Sequence, residues 1–210
     1  MVNINQQKTP QQLDMNNFRS ALDNAGQLAK GCRFVAQIRS VATGSTLGIN
    51  LSTLIPNDIH LMCDAVEFPG RGFNVTETRY YGPSQNFPNN TMYGGSASMS
   101  FICRTNSPER MFFDEWMDLI NPTSTFNFEY PSNYWGEIDI YQLSEFGAGN
   151  VSNAKDPTVK LNQKASYAWT LRKVWPTLVA PQQVTWADQD ILRLQVTFTY
   201  KYWDRPNVSR

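Results

Sequence analysis

The run at residues 190–203, D-I-L-R-L-Q-V-T-F-T-Y-K-Y-W, constrains the fold more than any other stretch. Leu192, Leu194, Val196, Phe198, Tyr200 and Tyr202 share one parity, while Arg193, Gln195, Thr197, Thr199 and Lys201 share the other. Such alternation, in β-branched and aromatic residues, predicts a strand buried on one face only. At about 3.3 Å per residue the strand would be roughly 40 Å long, about twice the usual length, and it would need a large sheet behind it. Its second face is polar, with neutral Gln195, Thr197 and Thr199 between Arg193 and Lys201, which asks what that face is for.

The remaining composition sharpens the question. The chain has 210 residues, enough for one large core, and its 18 basic and 18 acidic residues cancel. Charged residues make up only 17% of the chain, and Asn, Gln, Ser and Thr carry the polarity instead. A neutral surface offers no electrostatic footprint for nucleic acid or an anionic membrane. It also does little to hold copies apart, so self-association is the expectation. The three cysteines, Cys32, Cys63 and Cys103, are too few and too scattered for a disulfide framework. They read as small buried hydrophobes in a reducing compartment. No apolar stretch follows a basic start and no run is long enough to cross a membrane, so neither a signal peptide nor membrane insertion is expected. The sequons at Asn74 and Asn150 read as chance in so Asn-rich a chain.

In order, residues 1–12 form a polar, Gln-rich arm. Phe18, Leu22, Ala25 and Leu28 predict a helix over 14–30, capped by Asp14 and ended by Gly31. Residues 32–40 read as a strand with Phe34, Ala36 and Ile38 on one face. The Gly/Ser/Thr-rich stretch 42–53 is a long loop or a flexible hairpin. Strands are expected at 59–68, stopped by Pro69-Gly70, at 73–81, stopped by Gly82-Pro83, and, after a loop containing Pro88, at 96–103. In the last of these Ala97, Met99, Phe101 and Cys103 alternate with Ser96, Ser98 and Ser100. Ser107 as N-cap, Pro108 in the first turn and Glu109 at the positive end of the dipole announce a helix closed by Asn121-Pro122. Phe112, Phe113, Trp116, Leu119 and Ile120 form its apolar stripe. Strands follow at 125–130, at 137–143, at 167–179 with a break at Trp175-Pro176, and at the final run. With about seven strands and few helices, the fold class is mainly β: an antiparallel β-sandwich or barrel with one packed α-helix and an N-terminal helix. No linker or repeat divides it, so 1–210 is one domain with 1–30 as an extension.

Catalytic chemistry finds little support. The single histidine, His60, sits in an apolar stretch, and Cys63, three residues on, would point to the opposite face of a strand. No G-x-S-x-G elbow, C-x-x-C or H-x-x-x-H pair occurs, so no catalytic residue, metal or cofactor is expected. Asp114, Glu115 and Asp118 read as a solvated helix face, and Gly70-Arg71-Gly72 is too short for a phosphate loop. Most of the six tryptophans read as core rather than as stacking platforms.

Several pieces, in order, resemble the tail tube proteins of contractile-tailed bacteriophages: C-D-A-V-E-F-P-G at 63–70, R-Y-Y-G-P at 79–83, F-F-D-E-W at 112–116 and W-G-E-I at 135–138. The strand ending Val174-Trp175-Pro176, then Trp186, then the run to Trp203 complete the resemblance. It implies a non-enzymatic subunit of six-membered rings, stacked into a tube inside a sheath, through whose lumen double-stranded DNA passes. The partners it implies are further copies of the chain, the sheath, tape measure, baseplate and tail terminator proteins, in a virion tail made in the host cytoplasm. The N-terminal extension and the 42–53 insert depart from the simplest tube subunit, and a baseplate tube initiator or end-ring protein of the same fold is the alternative. A ligand-binding β-barrel or a hydrolase would be a different class. For a tube, Ser96, Ser98 and Ser100 are candidates to face the lumen, since a wall for DNA should not grip phosphates; a face that merely meets solvent is the other reading. Phe68, Pro69, Gly70 and Arg71, with Leu47 and Ile49 in the insert, are candidate contacts between subunits.

Overall fold

A computed structural model describes residues 29–41, 55–56, 58–79, 81–143, 165–186 and 190–205. Among them lie nine strands: β1 (Phe34–Val41), β2 (Cys63–Val66), β3 (Arg71–Thr78), β4 (Gln85–Tyr93), β5 (Ser96–Ile102), β6 (Gly136–Leu143), β7 (Ala165–Val179), β8 (Arg193–Thr199) and β9 (Tyr202–Asp204). Helix α1 spans Pro108–Ile120 and the single turn α2 spans Pro131–Tyr134. The expected helix at 14–30, apart from its last two residues, and the 42–53 insert lie outside the described residues.

Seven strands form one antiparallel sheet in the order β1-β6-β7-β8-β5-β2, with β9 added to β7. The sheet folds over at β7 into two leaves, a sandwich-like arrangement that does not close into a barrel. The first part of β7 pairs with β6 as far as Val174↔Gly136, and its end pairs with β8 from Trp175↔Thr199 onward. Lys173, at the changeover, has φ +56, a left-handed conformation rare for a side-chain-bearing residue, and its Nζ lies 4.3 Å from the Trp135 ring centroid. Trp175-Pro176 was expected to break the strand; instead β7 runs through both and changes partner there.

The final run is likewise not one strand. Leu194, Val196, Phe198 and Tyr200 are buried as their parity predicts, whereas Tyr202 is exposed. At the break the Tyr200 N–H donates to Gly95 O (3.1 Å) and the Lys201 N–H to Arg172 O (3.1 Å). The backbone is handed from one leaf to the other, and β9 pairs with β7 through Leu171↔Trp203. Alternation identified the buried side chains and carried no information about which strand receives the backbone.

The core joins the inner faces of both leaves to α1. Ile138, Ile140, Leu171, Met99, Phe101, Leu194, Val196 and Phe198 meet the helix stripe of Phe112, Phe113, Trp116 and Leu119, all nearly inaccessible. Phe113 packs against Phe101 and Phe198, and Trp116 donates its indole N–H to Tyr134 O (3.0 Å). The start of α1 departs from the expected cap. Ser107 stands at the N-cap position as expected, but it has φ +46 and its hydroxyl donates to Arg104 O (3.3 Å), so its side chain caps no helical N–H. Fully buried Glu109 holds that turn instead, accepting from Arg104 Nε (2.6 Å) and from the Arg104 N–H (3.3 Å).

Four further expectations change. The strand at 59–68 begins as a 3-10 turn, Ile59–Leu61, because Pro56 O and Asp58 O take the N–H groups of Ile59 and Leu61. His60 is therefore in a turn. Residues 125–130 form no strand: Thr125 and Phe126 donate back to Pro122 O, and Phe126 has φ +54. Pro88 lies within β4, opposite Val75 at a register shift, where a strand with no second neighbour tolerates the missing N–H. All three cysteines are free, and Cys32 is exposed rather than buried.

Candidate functional site

Two surfaces emerge from this frame. The first is the outer face of the leaf made by β2, β5, β8 and the end of β7. Since Ala97, Met99 and Phe101 point inward, Ser96, Ser98 and Ser100 must point out, paired with Thr199, Thr197 and Gln195 of β8. Gln195 Nε2 donates to Ser98 Oγ (3.1 Å), the hydroxyls of Thr177 and Thr199 are 2.5 Å apart, and Leu178, opposite Thr197, is exposed beside them. Arg193, at one end, pairs with Asp64 of β2 (2.8 Å), so the two charges cancel. Glu67, at the margin, accepts from the Ser98 N–H at 3.4 Å. The three lumen candidates thus share one polar, nearly neutral sheet face with residues of β8 and β7.

The second surface is a hairpin, β3 paired with β4, that packs essentially only on itself. Phe73 and Phe87 are 54% and 51% exposed, Val75 and Met92 are comparably open, and Tyr81 at the tip is fully exposed. The register puts Phe73 and Val75 on one face and Phe87 and Met92 on the other, so the hairpin exposes apolar side chains on both sides, and an isolated two-stranded hairpin is marginal in water. Of the sequence candidates, Phe68 stacks on Trp169 with ring centroids 4.4 Å apart, Pro69 is buried, Gly70 O accepts from Trp203 Nε1 (3.0 Å), and the Arg71 guanidinium lies over the rings of Phe73 and Tyr93. These four residues are the base of the arm. Leu47 and Ile49 lie outside the described residues.

The sequence alone does not reveal the arm, because Pro88 makes its return strand read as a loop. The available signal was the Gly82-Pro83 turn with β-prone residues on both sides. Gly82 has φ +81 and accepts from Arg79 Nε (2.9 Å). Also unforeseen are the exposed rings of Phe126, Phe128 and Tyr130 beyond α1 and the fully exposed Trp186.

Neither surface is equipped for catalysis. Burial, reinforced by Asp64, pushes the Cys63 thiol up to about 12, although its hydrogen bond to Ala65 O partly offsets this, so it is no thiolate nucleophile. Among the described residues no group of three or more His, Cys, Asp or Glu side chains could hold a metal. A charged cluster does exist elsewhere. Buried Asp139 accepts from Thr170 Oγ1 (2.6 Å) and lies 3.3 Å from Arg39 Nε, and Glu137 joins Arg39 and Arg172. Burial raises the Asp139 pKa despite these partners. The cluster ties β1, β6 and β7 together and opens onto neither surface.

Over residues 31–205 the sequence matches the family described as phage tail tube protein. No curated protein matches the sequence. Among solved structures, a chain of the anti-feeding prophage baseplate is similar at TM-score 0.56 and 15% identity, covering 88% of this chain and 99% of that one. A chain of the sheath-tube complex of PVC, an extracellular contractile injection system, in its extended state, gives TM-score 0.52 at 13% identity, covering 85% and 90%. A chain of the tube-terminating cap of the anti-feeding prophage gives 0.53 at 12%, again covering 85% and 90%. At such low identity the structural likeness speaks for the fold, while the sequence match spans all nine described strands and α1. The chain belongs to the phage tail tube protein family, and its role is that of a structural tube protein rather than an enzyme.

Proposed function

We propose that copies of this chain close into six-membered rings that stack into a tail tube, with the polar face of β2, β5, β8 and β7 lining a bore through which DNA leaves during ejection. The observation that carries this reading is the chemistry of that face. Gln195 bonds Ser98 and Thr177 bonds Thr199, and the one cation among its described residues, Arg193, is held by Asp64. A wall of that kind offers DNA phosphates no row of cations, each of which would add a salt-dependent contact and slow passage. The opposite side of the leaf is filled by α1, which places the helix away from the bore. The free edges of the terminal strands β1 and β2 would pair around the ring, removing edges that otherwise invite uncontrolled pairing.

The arm, with its base at Phe68–Arg71, supplies the contact between copies, a head-to-tail interface of the type that builds open filaments. Sheath protein would surround the tube, a tape measure protein would occupy its bore during assembly, and baseplate and terminator proteins would bound it, in a virion tail built in the host cytoplasm. A second reading, an initiator or end ring, is favoured by the likeness to baseplate and cap chains. Copy number in the intact particle separates the two: many rings for a tube, one for an end ring. The bore assignment is tested by Ser96→Lys with Ser100→Lys, which should leave tubes visible by electron microscopy and slow DNA release. Unchanged release from particles carrying both lysines would remove the assignment, and a reconstruction without six-fold rings would remove the whole proposal.

A further inference from the structure

The arm meets the body at two joints, Pro69-Gly70 and Gly94-Gly95. Gly95 has φ +74, and one backbone bond, from the Gly94 N–H to Gly70 O (3.3 Å), closes the base. Glycines leave such joints free to turn. A small rotation there has a large effect. With eight residues in β3, the arm is about 27 Å long, so a turn of about 10° moves its tip by about 5 Å.

What restrains the joints, besides Phe68 on Trp169, is the short crossover between β8 and β9. The Tyr200 N–H holds Gly95 O, and the Tyr200 hydroxyl lies 3.2 Å from where a Cβ on Gly94 would stand. Trp203 Nε1 holds Gly70 O at 3.0 Å. The rings of Trp203 and Tyr202 meet the edge of Tyr93, the last residue of β4, at 6.3 and 6.4 Å. The crossover is itself fixed to β7 through Lys201 N–H to Arg172 O and the pairing of Trp203 with Leu171. Both joints of the arm are therefore touched by one segment that is anchored in the body.

We infer that this segment is a clamp, with Trp203 and Tyr200 as positioning residues that set the direction in which the arm leaves the body. Resting on the reading of the arm as the contact between copies, the clamp presents it in one orientation before a neighbour arrives, so its ordering need not accompany docking.

The test uses the full chain and two readouts, hydrogen exchange of the arm amides and the assembled fraction by sedimentation and electron microscopy. Trp203→Ala should raise exchange at the arm and its base by about five- to tenfold, the scale of one net hydrogen bond, with the amides of β5 and β8 unchanged. Assembly should fall in parallel, and Trp203→Phe, which keeps a ring for Tyr93 and loses the N–H, should lie between. Gly94→Ala forces its new methyl against the Tyr200 hydroxyl and should loosen the same joint, and adding Tyr200→Phe should restore it. That rescue is an outcome that general destabilisation does not produce. If Trp203→Ala unfolds the body, the Gly94→Ala pair with and without Tyr200→Phe decides alone. Wild-type arm exchange in Trp203→Ala, or no rescue by Tyr200→Phe, overturns the clamp. A freed arm with undiminished assembly upholds the clamp and removes the arm's role between copies.

Discussion

The outer face of the β2–β5–β8–β7 leaf and the β3–β4 arm are both exposed antiparallel sheet, yet they are built on opposite plans. The leaf has a core behind it, with Phe101 and Phe198 sealed against α1, and shows solvent mostly polar side chains, some of them bonded to one another. The arm has nothing behind it and shows solvent its apolar side chains, Phe73, Val75, Phe87 and Met92. Stability resides behind the first surface, whereas the second has no core of its own. The proposed roles differ accordingly: a polar face to which little adheres and an apolar hairpin that a neighbouring copy would cover.

The contrast can be broken most forcefully from within. Phe198→Ala, behind the polar face, should lower stability by about 3–5 kcal/mol, measured by urea unfolding. Phe73→Ser with Phe87→Ser in the arm should change the same measurement by only about 0.5 kcal/mol, as at a surface site, while the assembled fraction collapses. If the arm variant unfolds as readily as the core variant, the two regions are not energetically distinct. A smaller effect is expected from Arg193→Ala. It frees Asp64, leaves the face more negative, and should alter stability by at most about 1 kcal/mol because the pair is exposed. DNA release should be unchanged or faster; slower release would mean that Arg193 does not sit where the bore reading puts it.

The smallest effect concerns a residue on neither surface. The buried Asp139 carboxyl is raised above its ordinary value of 3.8. The folded state therefore holds a proton that the unfolded chain has lost, and stability falls as pH rises from near 3.8 through the raised value. Asp139→Asn should flatten that part of the stability profile. An unaltered slope would assign it to other carboxylates.

How much of this was legible depends on whether a signal was local. The stripe of α1 and the alternation of β5 could be read residue by residue, because periodicity and tertiary burial agree at Phe112, Phe113, Trp116, Ala97, Met99 and Phe101. The polar candidates Ser96, Ser98 and Ser100 followed from the same alternation. Pro88 was misplaced because its cost in a strand depends on whether a second neighbour needs its N–H, which only the sheet reveals. The break at Tyr200-Lys201 is silent in hydrophobicity, being decided by the distant carbonyls of Gly95 and Arg172. The Asp139 cluster draws on β1, β6 and β7, so no single stretch announces it.

Two stretches of backbone, β7 at Lys173 and the crossover at Lys201, pass from one leaf to the other. Tension applied to one leaf, as when a tail part is pulled along its axis, is thus carried into the second leaf through covalent main chain. Side-chain packing between the leaves is spared that load, and the two leaves are made to travel as one body.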